Sequence, residues 1–233
     1  MLVAAAVCPH PPLLVPRVAG RIVADLDECR TACLEVIDAL RAAEPDAVVV
    51  VGEGTVSREH PPSAVGSLVP YGLEVRLGTG DGDAVLPLSL GIGRWLVDQT
   101  SLTASTFVEI AVSAAPPVAV RIGAETASSA ARVAMLVMAD GSGYPSQTPV
   151  GDDGRGEAYD DRWMTAVEGA DPKPLLDLDP DDDAPLWVSG RAPLQALAGA
   201  LTVGEEAGSY WQGRIAWRGA PYGVGYLVAS LIR

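Results

Sequence analysis

Long uninterrupted apolar runs recur along this chain. Leu2-Val-Ala-Ala-Ala-Val-Cys8, Ala47-Val-Val-Val-Val51 and Val133-Ala-Met-Leu-Val-Met-Ala139 carry no charge. Runs of this length without alternation predict strands buried on both faces, as in a parallel sheet. Between the first two, Ile22, Val23, Leu26, Cys29, Cys33, Val36, Ile37 and Leu40 recur at helical spacing, predicting a helix over Ala19–Ala43 that Pro45-Asp46 ends. Strand, helix and strand make a β-α-β unit, whose crossover is right-handed.

Shorter signals fill the rest. Phe107–Ser113 predicts a strand, Leu73–Leu77 an edge strand, and Leu86–Val97 a helix interrupted at Gly91 and Gly93. Gly52–Pro62 and Gly151–Gly156 predict loops, and Arg155–Val167 and Gly190–Leu201 helices. Tyr210–Trp217 and Val224–Ile232 predict a hairpin around Gly219–Gly223. The expected fold is α/β: one domain over residues 1–233, a central mostly parallel sheet flanked by helices, and a C-terminal hairpin.

In such sheets ligands sit beyond the carboxyl ends of the strands, and the polar residues of this chain concentrate there. His10 follows the first strand between prolines, in Cys8-Pro-His-Pro-Pro12; proline fixes φ, so the loop is stiff. Glu53 and His60 follow the second strand, and Asp140-Gly-Ser142-Gly the strand ending at Ala139. Although Gly52-Glu-Gly54 begins like a dinucleotide fingerprint, Pro61-Pro62 forbids the helix that would complete it.

Composition narrows the partners. The formal charge of -14 disfavours nucleic acid, whose binding needs clustered cations. No stretch approaches the ~18 apolar residues of a membrane span, and Met1-Leu2-Val3 lacks a basic signal region. Both point to a cytoplasmic protein without a membrane partner. Cys8, Cys29 and Cys33 are an odd number of cysteines, which fits a reducing compartment. Cys29 and Cys33, four apart on a helix, read as small buried apolar residues before metal ligands. The acidic run Asp177–Asp183 reads as a solvated loop, because it lacks cation-ligand spacing.

The two histidines of the chain, His10 and His60, suggest a two-histidine, one-carboxylate site of the kind that holds non-haem Fe(II), with Glu53, Glu59 or Asp140 as the third ligand. Each histidine equally suits a structural role. Ser142 in Gly141-Ser-Gly143 is a weaker candidate nucleophile, since the spacing of a nucleophile elbow is absent. Arg191, at a helix start after Ser189-Gly190, is placed either to bind an anion or to anchor a loop.

The His10-Pro-Pro after a strand, the Val48–Val51 strand ending in a glycine loop, the Leu136–Ser142 strand and turn, and Ser189-Gly-Arg191 before a helix resemble the LigB-like superfamily. That group contains the class III extradiol ring-cleavage dioxygenases and the Memo-like proteins. The resemblance spans most of the chain and implies an α/β fold, with a mononuclear Fe(II) opening a catechol-type ring in active members. His10 matches the first histidine ligand. At the second, this chain has Glu53, Gly54 and Thr55, and His60 comes several residues late. The histidine that closes the family's Asp-x-Ser-His turn is replaced by Gly143, which transfers no proton. Two ligands and a base cannot all be histidine in a chain with two. The leading expectation is therefore a divergent member that is not an efficient dioxygenase and needs no cofactor. Its rim pocket of His10, Asp140, Ser142 and Arg191 would take a small molecule or a protein surface. The alternative is an Fe(II) dioxygenase with a displaced site of His10, His60 and Glu53. Either accommodates a homo-oligomer, as many members of the superfamily are.

Overall fold

A computed structural model describes residues 1–19, 24–143, 154–203 and 210–233. The strands are β1 (Leu2–Cys8), β2 (Ala47–Gly54), β3 (Arg58–His60), β4 (Val65–Ser67), β5 (Arg76–Leu77), β6 (Ala84–Leu86), β7 (Thr106–Ala111), β8 (Val133–Met138), β9 (Gln212–Gly219) and β10 (Tyr226–Ile232). The helices are α1 (Pro16–Ala19), α2 (Ala24–Ala42), α3 (Leu88–Asp98), α4 (Pro116–Ala127), α5 (Arg155–Glu168), α6 (Pro172–Leu176) and α7 (Arg191–Leu201). The expected start of the first long helix and part of the expected 151–156 loop fall outside the described residues.

A seven-stranded sheet in the order β3-β7-β2-β8-β1-β10-β9 forms the centre. Its inner strands β7, β2, β8 and β1 are parallel, whereas β3 at one edge and the β10-β9 hairpin at the other are antiparallel. The α/β class, the flanking helices and the C-terminal hairpin stand as expected, but the sheet is mixed and parallel only at its centre. The uncharged runs have the expected cause. Val133, Met135 and Val137 face α4, α5 and α7, while Ala134, Leu136 and Met138 face α2 and α3. Each strand is therefore buried on both sides.

The helices approach closely through glycine. A Cβ on Gly123 of α4 would lie 1.8 Å from the carbonyl oxygen of Ala196 in α7, and one on Gly199 would lie 2.1 Å from that of Val120. Gly91 and Gly93 do not interrupt α3. A Cβ on Gly93 would come within 2.7 Å of Val50 Cγ1, so the glycines let the helix sit on the sheet.

The 52–62 segment is not a loop throughout. β2 continues to Gly54, and β3 then turns back antiparallel to β7, pairing His60 with Phe107 and Arg58 with Glu109. Of the expected Leu73–Leu77 strand only Arg76–Leu77 forms, within a second, three-stranded sheet β5-β4-β6. All three cysteines are buried free thiols.

Candidate functional site

The four parallel strands end on one rim, which carries His10, Glu53 and Asp140. His10 is almost fully buried, and its backbone N–H donates to Asp140 Oδ1 at 2.8 Å. The backbone N–H of Asp140 donates in turn to the carbonyl of Ser189 at 2.6 Å, an isolated antiparallel bridge. A hydrogen bond of 3.1 Å between His10 Nε2 and Ser189 Oγ closes the ring. Three residues separated by up to 179 positions thus fix one another through backbone and side chain. Gly190 makes this approach feasible, because a Cβ there would stand 2.7 Å from the Ala139 Cβ.

Glu53 joins from β2. The Ser189 hydroxyl donates to its Oε1, while Ser89 Oγ holds its carbonyl at 2.6 Å. Burial raises the Glu53 pKa above the usual carboxylate value, with the Ser189 hydrogen bond and His10 opposing. Burial pushes Asp140 up to about 7 against the hydrogen bond from the His10 N–H. Burial also lowers His10 to about 4, with Glu53 pulling the other way. The imidazole is therefore neutral at neutral pH. Its Nδ1 lies 3.5 Å from Asp140 Oδ1 and makes no hydrogen bond.

A cleft of about 490 Å³ opens over this ring, lined among others by His10, Glu53, Ser189, Arg58, Glu109 and Tyr71. Its far wall is built on β7. Glu109 Oε2 accepts from His60 Nε2 at 2.8 Å and from Arg58 Nε at 3.0 Å, and Oε1 accepts the Thr55 N–H at 3.0 Å. Burial pushes the Glu109 pKa up, but the bonds from His60, Arg58 and the backbone outweigh it and hold the carboxyl below its usual value. A buried carboxylate with donors on both oxygens is a structural pin for the β2–β3 connection.

This geometry corrects several expectations. His60 does not share a rim position with His10: antiparallel β3 carries its backbone back beside Phe107, near the start of β7, and its ring is committed to Glu109. Among the described residues, no three His, Cys, Asp or Glu side chains converge as a metal group, so His10, His60 and Glu53 are not assembled as one. Around Ser189 the donors are one imidazole, one carboxylate and one hydroxyl, which does not fit the two-histidine, one-carboxylate set of Fe(II).

Arg191 does not line the cleft. Fully buried, it donates to Asp183 at 2.6 Å, to Gln195 at 2.8 Å and to the Val112 and Ala114 carbonyls, which makes it an anchor for the start of α7. The acidic run is accordingly not all solvated, since Asp183 serves that anchor. Ser142 faces a different pocket of about 460 Å³, where its hydroxyl and N–H both donate to Asp160. Asp140 belongs to the His10 ring, so the expected four-residue pocket separates into three environments.

Two participants in the cleft lay outside the expected set. Ser189 carries no signal in the sequence beyond its place before Gly190-Arg191. Glu109 had a readable signal, a single carboxylate inside the apolar run Phe107-Val-Glu-Ile-Ala111.

Neither protein-family models nor curated proteins match the chain. Among solved structures, it is similar to the crystal structure of the uncharacterized protein JW3007 from Escherichia coli K12. The two share 14% identity over 99% of this chain and 100% of that one, with a TM-score of 0.50. That likeness concerns the fold alone.

Proposed function

We propose that this chain is a divergent LigB-like protein that binds a small polar molecule in the rim cleft and is not an efficient ring-cleavage dioxygenase. The observation that carries this reading is the convergence of His10, Ser189 and Glu53 on the cleft floor while His60 is bonded to Glu109. Concave sites at strand carboxyl ends with a few converging polar groups are where α/β proteins take small ligands. Replacing the family's later histidines by Glu53 and Gly143 removes imidazoles needed for ligation and proton transfer; losing a general base alone costs ~10²–10⁴-fold in rate. Among the described residues, no helix is long and apolar enough to cross a membrane.

The reading is tested by protein NMR of the metal-free chain titrated with catechol and 4-hydroxybenzoate. The expected result is saturable shifts at the His10 ring and the Ser189 amide. Shifts confined to the Ser142 and Asp160 region, or none, would contradict it.

A further inference from the structure

The ring on the cleft floor has an order the metal reading does not use. Ser189 Oγ meets His10 Nε2 at 3.1 Å, and the opposite ring nitrogen faces Asp140 Oδ1 at 3.5 Å. Hydroxyl, imidazole and carboxyl in that sequence are the parts of a serine nucleophile, its base and the group that orients the base, with the link to Asp140 made here by the His10 backbone N–H and not by Nδ1. Ser189 alone of the three is part-exposed; His10 and Asp140 are buried behind it. The hydroxyl therefore lies on the side from which a ligand arrives.

We infer that Ser189 is an acyl-accepting nucleophile, with His10 as its general base and Asp140 as a positioning residue, and that the cleft hydrolyses small carboxylic esters.

Two features support the assignment. The order is held by backbone as well as side chains, since the Asp140 N–H binds the Ser189 carbonyl and the His10 N–H binds the Asp140 carboxyl. Preorganisation of this kind is what orientation effects in catalysis require. The imidazole is neutral, and it accepts the Ser189 proton at Nε2 in the tautomer that carries its own proton on Nδ1, once the hydroxyl turns from Glu53.

The step balances without a co-reactant. Ser189 Oγ bonds to the ester carbonyl carbon as its proton passes to His10 Nε2. The carbon–alkoxide bond then breaks, and the leaving alcohol takes that proton. Water attacks the acyl-serine, gives a proton to Nε2, and the carboxylic acid leaves as the proton returns to Oγ. Glu53 Oε1 is the second acceptor beside the hydroxyl and competes with His10 for its proton in the free protein.

The inference rests on the rim cleft being a small-molecule site, but its test is separate. The full chain is incubated with a fluorophosphonate, followed by intact mass and peptide mapping, and is assayed with p-nitrophenyl acetate. The expected result is one phosphonyl adduct on Ser189, absent in Ser189→Ala and retained in Ser142→Ala, and ester hydrolysis lowered ~10²–10⁴-fold in His10→Ala. Asp140→Asn should lower kcat and leave KM unchanged. No adduct on wild-type protein, or an adduct mapped to another serine, overturns the inference, and mapping on the wild type decides this even if a variant fails to fold. With catechol shifts at His10 intact, absence of the adduct removes the nucleophile and spares the binding site.

Discussion

Asp140 Oδ1 accepts the backbone N–H of His10 at 2.8 Å and lies 3.5 Å from Nδ1 of the same residue, yet the two side chains are not an ion pair near pH 6. Burial pushes Asp140 up to about 7 and His10 down to about 4, so between those limits both are neutral.

Their effects on stability oppose each other. From the ordinary value of 3.8 up to about 7, folded Asp140 holds a proton that the unfolded chain has released, so its contribution to stability falls as pH rises. From about 4 up to 6.5 the unfolded chain binds a proton that folded His10 does not, so the His10 contribution rises. Asp140→Asn keeps an acceptor for the His10 N–H and removes only the falling part. Denaturant unfolding at pH 4 and pH 7 should show the variant gaining on wild type by up to ~4 kcal/mol, at 1.36 kcal/mol per pKa unit. A difference independent of pH would contradict the burial of this carboxyl.

Glu109 is the pin of the cleft wall. Glu109→Ala strands the His60 ring and the Thr55 N–H, and should cost ~3–5 kcal/mol in unfolding free energy. His60→Ala should be milder, ~1–3 kcal/mol, because Arg58 and the backbone still serve the carboxylate. Anaerobic dialysis against Fe(II) should give the same iron content for His60→Ala as for wild type. Iron lost with His60 would restore the displaced metal site.

Arg191 anchors α7 from inside. Arg191→Met leaves Asp183, Gln195 and the Val112 carbonyl without their donor, and should lower stability by ~3–5 kcal/mol. Thermal unfolding in phosphate against an uncharged buffer checks the other role. The wild type should show no specific stabilisation by phosphate, because none of the guanidinium faces solvent.

Where α4 crosses α7, Gly123→Ala sets a methyl against the Ala196 carbonyl and should cost ~1–3 kcal/mol by overpacking. Equilibrium unfolding measures it directly, and a neutral effect would mean the helices separate at little cost.

β1, β8 and the Ala47–Val51 part of β2 were legible because each is buried on both faces and carries no charge. The short elements were not. β3 and β4 are each three residues long, below any period, and β3 sits between a glycine loop and Pro61-Pro62 that read as breakers. Helix α4 has no counterpart among the expected elements, since Pro116 and Pro117 open it and the spacing through Gly123 mixes small and apolar residues. The error at His60 follows from β3: read as a loop, the segment delivers its histidine to the rim, whereas an antiparallel strand carries it away. His10 and Glu53 were placed at the correct edge by their strands. Ser189 was not assigned a role because its partners come from β2 and the His10 loop, and nothing local marks a contact between distant segments. For Arg191 the anchoring alternative holds and the place in the rim pocket does not, because its partners lie on three separate segments.

The claim that a rim site has been rebuilt around His10 without the iron-binding set is tested most directly by ring cleavage itself. The chain is loaded anaerobically with Fe(II), mixed with protocatechuate and oxygen, and followed by oxygen uptake and the absorbance of the ring-opened product. The account predicts no turnover above that of free iron, in wild type and in His60→Ala alike. Turnover with one iron per chain, abolished in both His10→Ala and His60→Ala, would contradict it.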